Sequence, residues 1–215
     1  MSEARPEPLS ALLNDNPLSE LRRFARARER GREEFCDFCS AGIASTHRHL
    51  IETDRRQLVC VCEACAILFG NQGKYRRVPR RTHFLRDFRL TEAQWQSLLI
   101  PIQLAFIFYE TAAQRAVALY PSPAGPTESW LEASSWAEIM ALDPALQKME
   151  PDVEALLINR MRRANNVEEY YIAPIDECFR LSGLLRVHWR GLSGGARVWE
   201  EIARFFLELK QRASG

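Results

Sequence analysis

Four cysteines in two closely spaced pairs constrain this chain more than any other feature of its sequence. Cys36 and Cys39 form the first CxxC pair, and Cys62 and Cys65 form the second. A CxxC pair places two thiolates on one side of a tight turn, here called a knuckle. A second pair completes the tetrahedron that is typical of four-cysteine zinc sites. The pattern therefore predicts a metal centre, with Zn²⁺ as the favoured ion.

The residues around these pairs predict the fold of a small module. Residues 47–53 and 57–61 favour two paired strands, and residues 63–69 favour a short helix with one apolar side. Knuckle, hairpin and helix follow one another in this order in a treble clef, and a zinc-ribbon-like module fits the same spacing. Cys62 and Cys65 would then lie in the first turn of the helix, where the positive end of the helix dipole stabilises thiolates.

Three further residues in the module are candidate alternate ligands, namely Cys60, His47 and His49. Cys60 is left over from the two pairs, and we interpret it first as a small apolar side chain. The two histidines alternate along one strand face, which favours a hydrogen-bonded pair over a catalytic base.

Other chemistries of the same cysteines stay open at this point. A rubredoxin-like iron site for electron transfer would use the same four ligands, but Ser40 and Ala66 stand where such knuckles usually carry glycine. An iron–sulfur cluster is compatible with the compact run of Cys60, Cys62 and Cys65. An HNH-type nuclease is disfavoured, because that family needs an asparagine in the hairpin and residues 47–61 contain none.

Basic residues are concentrated directly after the cysteine module. Although the net charge of the 215 residues is only +1, the segment from Lys74 to Arg89 has Asp87 as its one acidic residue. We interpret it first as a surface for an acidic protein partner, with a solvated loop and then a nucleic-acid surface as the alternatives. The candidate partner-binding residues are Lys74, Arg76, Arg77, Arg80 and Arg81.

The organisation of the chain predicts an α+β protein in three segments. Residues 1–34 are an arm with a cationic helix over 18–32, residues 35–90 are the metal-binding module with its basic loop, and residues 91–215 are an α+β domain with a small antiparallel sheet. We expect strands over 82–90, 104–110, 115–120 and 170–173. We expect helices over 91–95, 134–142 and 175–188, a final helix after Gly195, and a shaped loop over 120–129. Residues 152–161 are ambiguous between helix and strand, and their apolar spacing favours the helix.

Targeting and catalytic motifs are scarce. The N-terminal residues lack the pattern of a secretory signal, and the apolar run at 98–109 is too short to span a bilayer. The sequence contains no P-loop, GxGxxG or GxSxG motif. We therefore expect a soluble cytoplasmic protein without membrane spans, and a non-enzymatic role is favoured, with no catalytic residue assigned.

Several segments together resemble an uncharacterised bacterial family of unknown function. They are CDFC, HRHL, CVCEACAILF, GKYRRVPRR, IPIQLAFIFYE, YPSPAGPTES, EPDVEALLINR, PIDECFRLSGLLRVHWRGLSGG and VWEEIARFF. Members of that family tend to be encoded beside nickel–iron hydrogenase structural and maturation genes. The resemblance implies an accessory role in hydrogenase assembly or electron delivery, with a hydrogenase subunit or maturation factor as partner. It supports the metal site and implies no catalytic residue.

Overall fold

The computed structural model describes residues 34–129, 131–161, 168–191 and 194–214. The arm and the cationic helix expected before residue 34 lie outside these ranges. Within them, each pair of neighbouring strands is antiparallel. No helix among the described residues is both long and apolar enough to cross a membrane.

The first part of the chain forms two small sheets. Their elements are β1 (Glu34–Phe35), β2 (Gly42–Ile43), β3 (Arg48–Glu52), β4 (Gln57–Val61), α1 (Glu63–Phe69) and β5 (Tyr75–Arg77). β1 pairs with β2, and the other three strands form a sheet in the order β4-β3-β5. The expected hairpin and the helix that follows it are confirmed.

A six-stranded sheet organises the rest of the chain. In chain order its elements and helices are β6 (His83–Phe84), α2 (Glu92–Ser97), β7 (Leu104–Glu110), β8 (Arg115–Ser122), β9 (Gly125–Ser129), α3 (Ala133–Ala141), a 3₁₀ turn (Leu146–Lys148), β10 (Glu154–Asn159), β11 (Glu169–Pro174), α4 (Ile175–His188) and α5 (Gly195–Arg212). The strands lie in the order β6-β11-β10-β7-β8-β9.

Both faces of the six-stranded sheet are buried. On one face, Phe106 and Leu157 pack with the apolar sides of α4 and α5. On the other face, Ile107 and Leu156 pack with Trp95 of α2 and with α3. Adjacent residues of β7 and β10 therefore enter opposite cores, as the period of two in a strand requires.

The three-stranded sheet is also two-sided. Leu50 and Val59 pack in a small cluster with Cys36 and Cys65. Ile51, on the opposite face of β3, joins the main core under α4 and α5. The small sheet thus separates the cysteine pairs on one face from the main body of the protein on the other.

Three expected elements are wrong. Residues 152–161, where the helix was favoured over the strand, contain the central strand β10, and residues 120–129, expected as a loop, form the end of β8, the turn and β9. Of residues 82–90, only His83 and Phe84 are in a strand. Phe84 packs on the α4–α5 side and Phe88 on the α2–α3 side, because the chain turns around the sheet edge after β6. The hairpin of β7 and β8, strand β11 and helices α2 to α5 are confirmed.

Candidate metal centre

The first cysteine pair lies on a knuckle formed by residues 36–41. The Cys36 amide donates to the Ala41 carbonyl at 2.8 Å, and the Ser40 amide donates to the Cys36 carbonyl at the same distance. Ser40 has a φ of 58°, in the left-handed region that usually takes glycine. The knuckle turn therefore forms with serine, and the missing glycine does not discriminate between zinc and iron.

The second cysteine pair begins helix α1. Cys62 is the N-cap residue, and its Sγ accepts a hydrogen bond from the Cys65 amide at 3.4 Å. A thiolate at this position satisfies one of the amides that a helix start leaves without an intrahelical partner. The start of the helix therefore carries both cysteines, and its backbone holds the sulfur atom of Cys62.

Knuckle and helix bring the four sulfur atoms together. The Sγ atoms of Cys36, Cys39, Cys62 and Cys65 all lie within 4.8 Å of one another, and those of Cys39 and Cys62 are 3.7 Å apart. Cys36 and Cys65 are buried, and Cys39 is exposed. These residues, the four-cysteine group below, can hold a metal ion, and their number and type fit a tetrahedral thiolate centre.

The electrostatics of the four-cysteine group also fit a cation. Burial opposes ionisation of Cys36, but backbone hydrogen bonds, chiefly from Cys62, outweigh it and lower the pKa of Cys36 to about 6. Burial and the neighbouring thiols raise the pKa of Cys65 to about 12. The Ala41 amide favours the Cys39 thiolate, but the thiols of Cys36 and Cys62 outweigh it and raise the pKa of Cys39. A bound divalent ion would supply the positive charge that allows all four to ionise.

Cys60 does not belong to the four-cysteine group. It forms a second group with His47 and His49, in which one potential ligand atom of each residue lies within 4.8 Å of the others. We call these three residues the histidine–cysteine group. Burial and the nearby Asp37 raise the pKa of the Cys60 thiol.

Three of the five predicted partner-binding residues form ion pairs within the protein. Lys74 binds Glu52 at 2.6 Å, Arg76 binds Asp152 at 3.2 Å, and Arg81 binds two carboxylates of the β10 region. These pairs join β5 and the following loop to the rest of the fold. The partner-binding role of these residues stays a prediction.

Arg77 and Arg80 have exposed side chains beside α1. Both lie close enough to Glu63, at the start of α1, to lower its pKa, although the larger effect comes from the hydrogen bond of Arg48. The outer face of α1 exposes Ile67 (65%) and Leu68 (59%). The region of α1 thus combines positive charge near its start with exposed apolar side chains further along the helix.

One residue of this region was missed by sequence reasoning. Asp176, at the start of α4, has its Oδ2 atom 2.8 Å from Nδ1 of His49, and the two residues are 127 positions apart in the chain. An acidic residue in the first turn of a helix is common, because it favours the helix dipole. No signal in the sequence distinguishes that ordinary role from this contact.

Comparisons with known proteins give one positive result. Neither the curated proteins nor the solved structures contained a match to this chain. A family model matches residues 35–213, which include the four-cysteine group, the histidine–cysteine group and all of the described helices. The chain therefore belongs to the family of unknown function DUF5947.

Proposed function

We propose that the four-cysteine group holds one structural Zn²⁺ ion in a treble-clef-like module, and that this module binds an acidic protein partner. The observation that carries the proposal is the convergence of four thiols from a knuckle and a helix start, all within 4.8 Å. Four protein ligands fill a tetrahedral zinc shell and leave no position for a substrate, which is typical of structural sites.

The small core of the module supports a structural role for the metal. Its buried cluster has six residues, and two of them, Cys36 and Cys65, are members of the four-cysteine group. A core of this size contributes little hydrophobic free energy, whereas zinc coordination adds directly to the free energy of folding. The metal would hold the knuckle and α1 together.

The surface beside α1 supports a role in partner binding. Ile67 and Leu68 of α1 are exposed apolar side chains, and Arg77 and Arg80 lie near Glu63 at the start of the same helix. An apolar centre with a charged border is the common anatomy of a protein interface, and arginines select and steer an acidic partner. We propose a cytoplasmic accessory protein, and a nickel–iron hydrogenase subunit or maturation factor is the candidate partner that the sequence resemblance implies.

Metal analysis with a visible spectrum tests the proposed ion. The full chain is purified without oxygen from an iron-replete culture. We expect zinc and no visible absorbance. A ferric site with four thiolates absorbs visible light, so colour together with bound iron would refute the zinc assignment and support electron transfer instead.

Cysteine variants test the structural role. We expect Cys36→Ser and Cys65→Ser to lose the metal and to unfold the module, while the remainder of the fold persists. Cys178→Ala is the matched control, because Cys178 is buried in the main core and belongs to neither group. Retention of metal and of full helicity by both serine variants would contradict the proposal.

The partner surface is tested with a charge reversal. Arg77→Glu combined with Leu68→Ser leaves the four-cysteine group intact, and we expect the variant to keep its zinc and to lose the protein that the wild type captures. Binding of the same protein by both chains would exclude this surface. Salt-sensitive binding to DNA or RNA by the wild type would favour the nucleic-acid alternative.

A further inference from the structure

We propose that the histidine–cysteine group is a second metal site, with three protein ligands and an open fourth position, for a divalent ion of the Zn²⁺ class. His47, His49 and Cys60 would be its ligands. The site shares no ligand with the four-cysteine group, and the inference does not depend on the function proposed above.

Strand register places the three side chains on one face of the β3–β4 hairpin. His49 lies directly opposite Cys60 in the antiparallel pairing. His47 precedes His49 by two positions, and the two imidazole rings are in edge-to-face contact with centroids 4.7 Å apart. This is the face of Ile51, whereas Leu50 and Val59 on the opposite face pack with the four-cysteine group. The two groups thus lie on different sides of the hairpin.

The hydrogen bonds of His47 leave one of its nitrogens with no partner. Its Nδ1 atom is 2.8 Å from the carbonyl oxygen of Ala44 and 3.1 Å from Oε2 of Glu34. Both neighbours accept hydrogen bonds, so Nδ1 carries the proton and Nε2 keeps its lone pair in the neutral ring. Nε2 is buried without a hydrogen-bond partner, in a side chain that is only 8% exposed. A bound cation would satisfy this buried lone pair.

A carboxylate contacts Nδ1 of His49, as hydrogen-bond acceptors contact Nδ1 of His47. Its Nδ1 atom lies 2.8 Å from Oδ2 of Asp176. The Glu177 amide donates to Oδ1 of the same carboxylate at 2.8 Å and fixes its position. Metal-binding histidines usually donate their second ring nitrogen to a carboxylate or a carbonyl, which fixes the tautomer and makes the ligand more basic. The second nitrogen of His47 faces the Ala44 carbonyl, and that of His49 faces the Asp176 carboxylate. Asp176 would thus be a positioning residue.

The third ligand is held by its backbone. The Cys60 amide donates to Oδ2 of Asp37 at 2.7 Å, and the Cys60 carbonyl accepts from the Asp37 amide at 2.9 Å. Two imidazoles and one thiolate are ligands that Zn²⁺ binds well, and zinc sites with three protein ligands keep a fourth position for water or another ligand. The His49 side chain is 26% exposed, so solvent reaches this side of the group.

Metal stoichiometry of the full chain tests the second site, with Co²⁺ and Zn²⁺ as the probes. The metal-free protein is titrated with each ion, and we expect two equivalents per chain. His47→Gln and Cys60→Ser are expected to bind one equivalent. The matched control is His83→Gln, which removes an exposed histidine of β6 outside both groups and is expected to bind two.

The cobalt spectrum makes the result independent of folding defects and of the first proposal. His47→Gln must retain the absorption of cobalt bound by four thiolates, which reports that the module is folded. This absorption distinguishes the two sites, because only the four-cysteine group has four sulfur ligands. One equivalent in the wild type, or two equivalents in both His47→Gln and Cys60→Ser, would overturn the proposal.

The positioning role of Asp176 gives a second measurement. We expect Asp176→Ala to weaken the second equivalent by about 10- to 100-fold, the usual effect of removing a carboxylate behind a metal-bound histidine. The first equivalent is expected to keep its affinity. Equal affinity of the second equivalent in the wild type and this variant would contradict the assigned role.

Discussion

Asp152 joins the small sheet to the large one, and its replacement tests how much this junction contributes to stability. The side chain is buried, and it accepts two hydrogen bonds from Thr111, one from the amide at 2.8 Å and one from the hydroxyl at 2.7 Å. It also forms an ion pair with Arg76 of β5 at 3.2 Å. Its φ of 65° lies in the left-handed region.

The expected effect of Asp152→Ala is a loss of about 4 kcal/mol in the free energy of unfolding. Hydrogen bonds to a charged acceptor contribute about 1.5–3 kcal/mol each when buried, and exposure of Thr111 to water reduces the two together to about 2–3 kcal/mol. The Arg76 pair adds at most about 1 kcal/mol, because Arg76 is partly exposed. Alanine in the left-handed region costs about 1 kcal/mol more.

Urea unfolding at constant zinc concentration measures these differences. Asp152→Gly is the matched control for the backbone, and we expect it to be about 1 kcal/mol less destabilising than Asp152→Ala. Asp152→Asn keeps the shape and one acceptor, and we expect a loss of about 1–2 kcal/mol. The reasoning is refuted if Asp152→Ala stays within about 1 kcal/mol of the wild type, or if glycine is no better than alanine.

Two further predictions concern a close backbone approach and acid sensitivity. Gly194 has a φ of 85°, and a Cβ there would lie 2.8 Å from a side chain of α5. We therefore expect Gly194→Ala to lower the free energy of unfolding by about 2 kcal/mol. The control is Gly183→Ala in α4, where a Cβ would meet open space, and it should raise the melting temperature. Burial opposes ionisation of Glu128, but hydrogen bonds from Arg56 and Arg115 outweigh it and lower its pKa. This stabilisation is complete above about pH 4.5 and is lost as the pH falls through the lowered value, so urea unfolding of Glu128→Gln should depend less on pH in that range than the wild type does; equal slopes would contradict this.

The parts of the fold that were predicted correctly have their signal within a short segment. Strands β7 and β8 are rich in aromatic and branched residues around a polar turn, and α4 keeps its apolar residues at helical spacing. The four-cysteine group was predictable for the same reason, because each CxxC pair is a local unit, the first a turn and the second the start of a helix. These signals do not depend on the rest of the chain.

The wrong secondary-structure predictions concern segments whose conformation is decided by their tertiary contacts. Strand β10 is buried on both faces, so it lacks the alternation of a half-buried strand, and Val153, Leu156 and Leu157 imitate a helical stripe. Strand β9 lies at the sheet edge, where prolines are tolerated, and Pro121 pairs with Pro126 past Leu119, the last residue of β8 that pairs with β7. Neither the burial of β10 nor the edge position of β9 can be predicted from the sequence before the strand order of the sheet is known.

The distance in sequence between His49 and Asp176 separates two events during synthesis. All four sulfur ligands of the four-cysteine group are made between residues 36 and 65, whereas Asp176 follows His49 by 127 positions. At the usual elongation rates, the ribosome needs about 6–25 s to reach it. A nascent chain can therefore assemble the four-cysteine group while His49 still lacks its carboxylate.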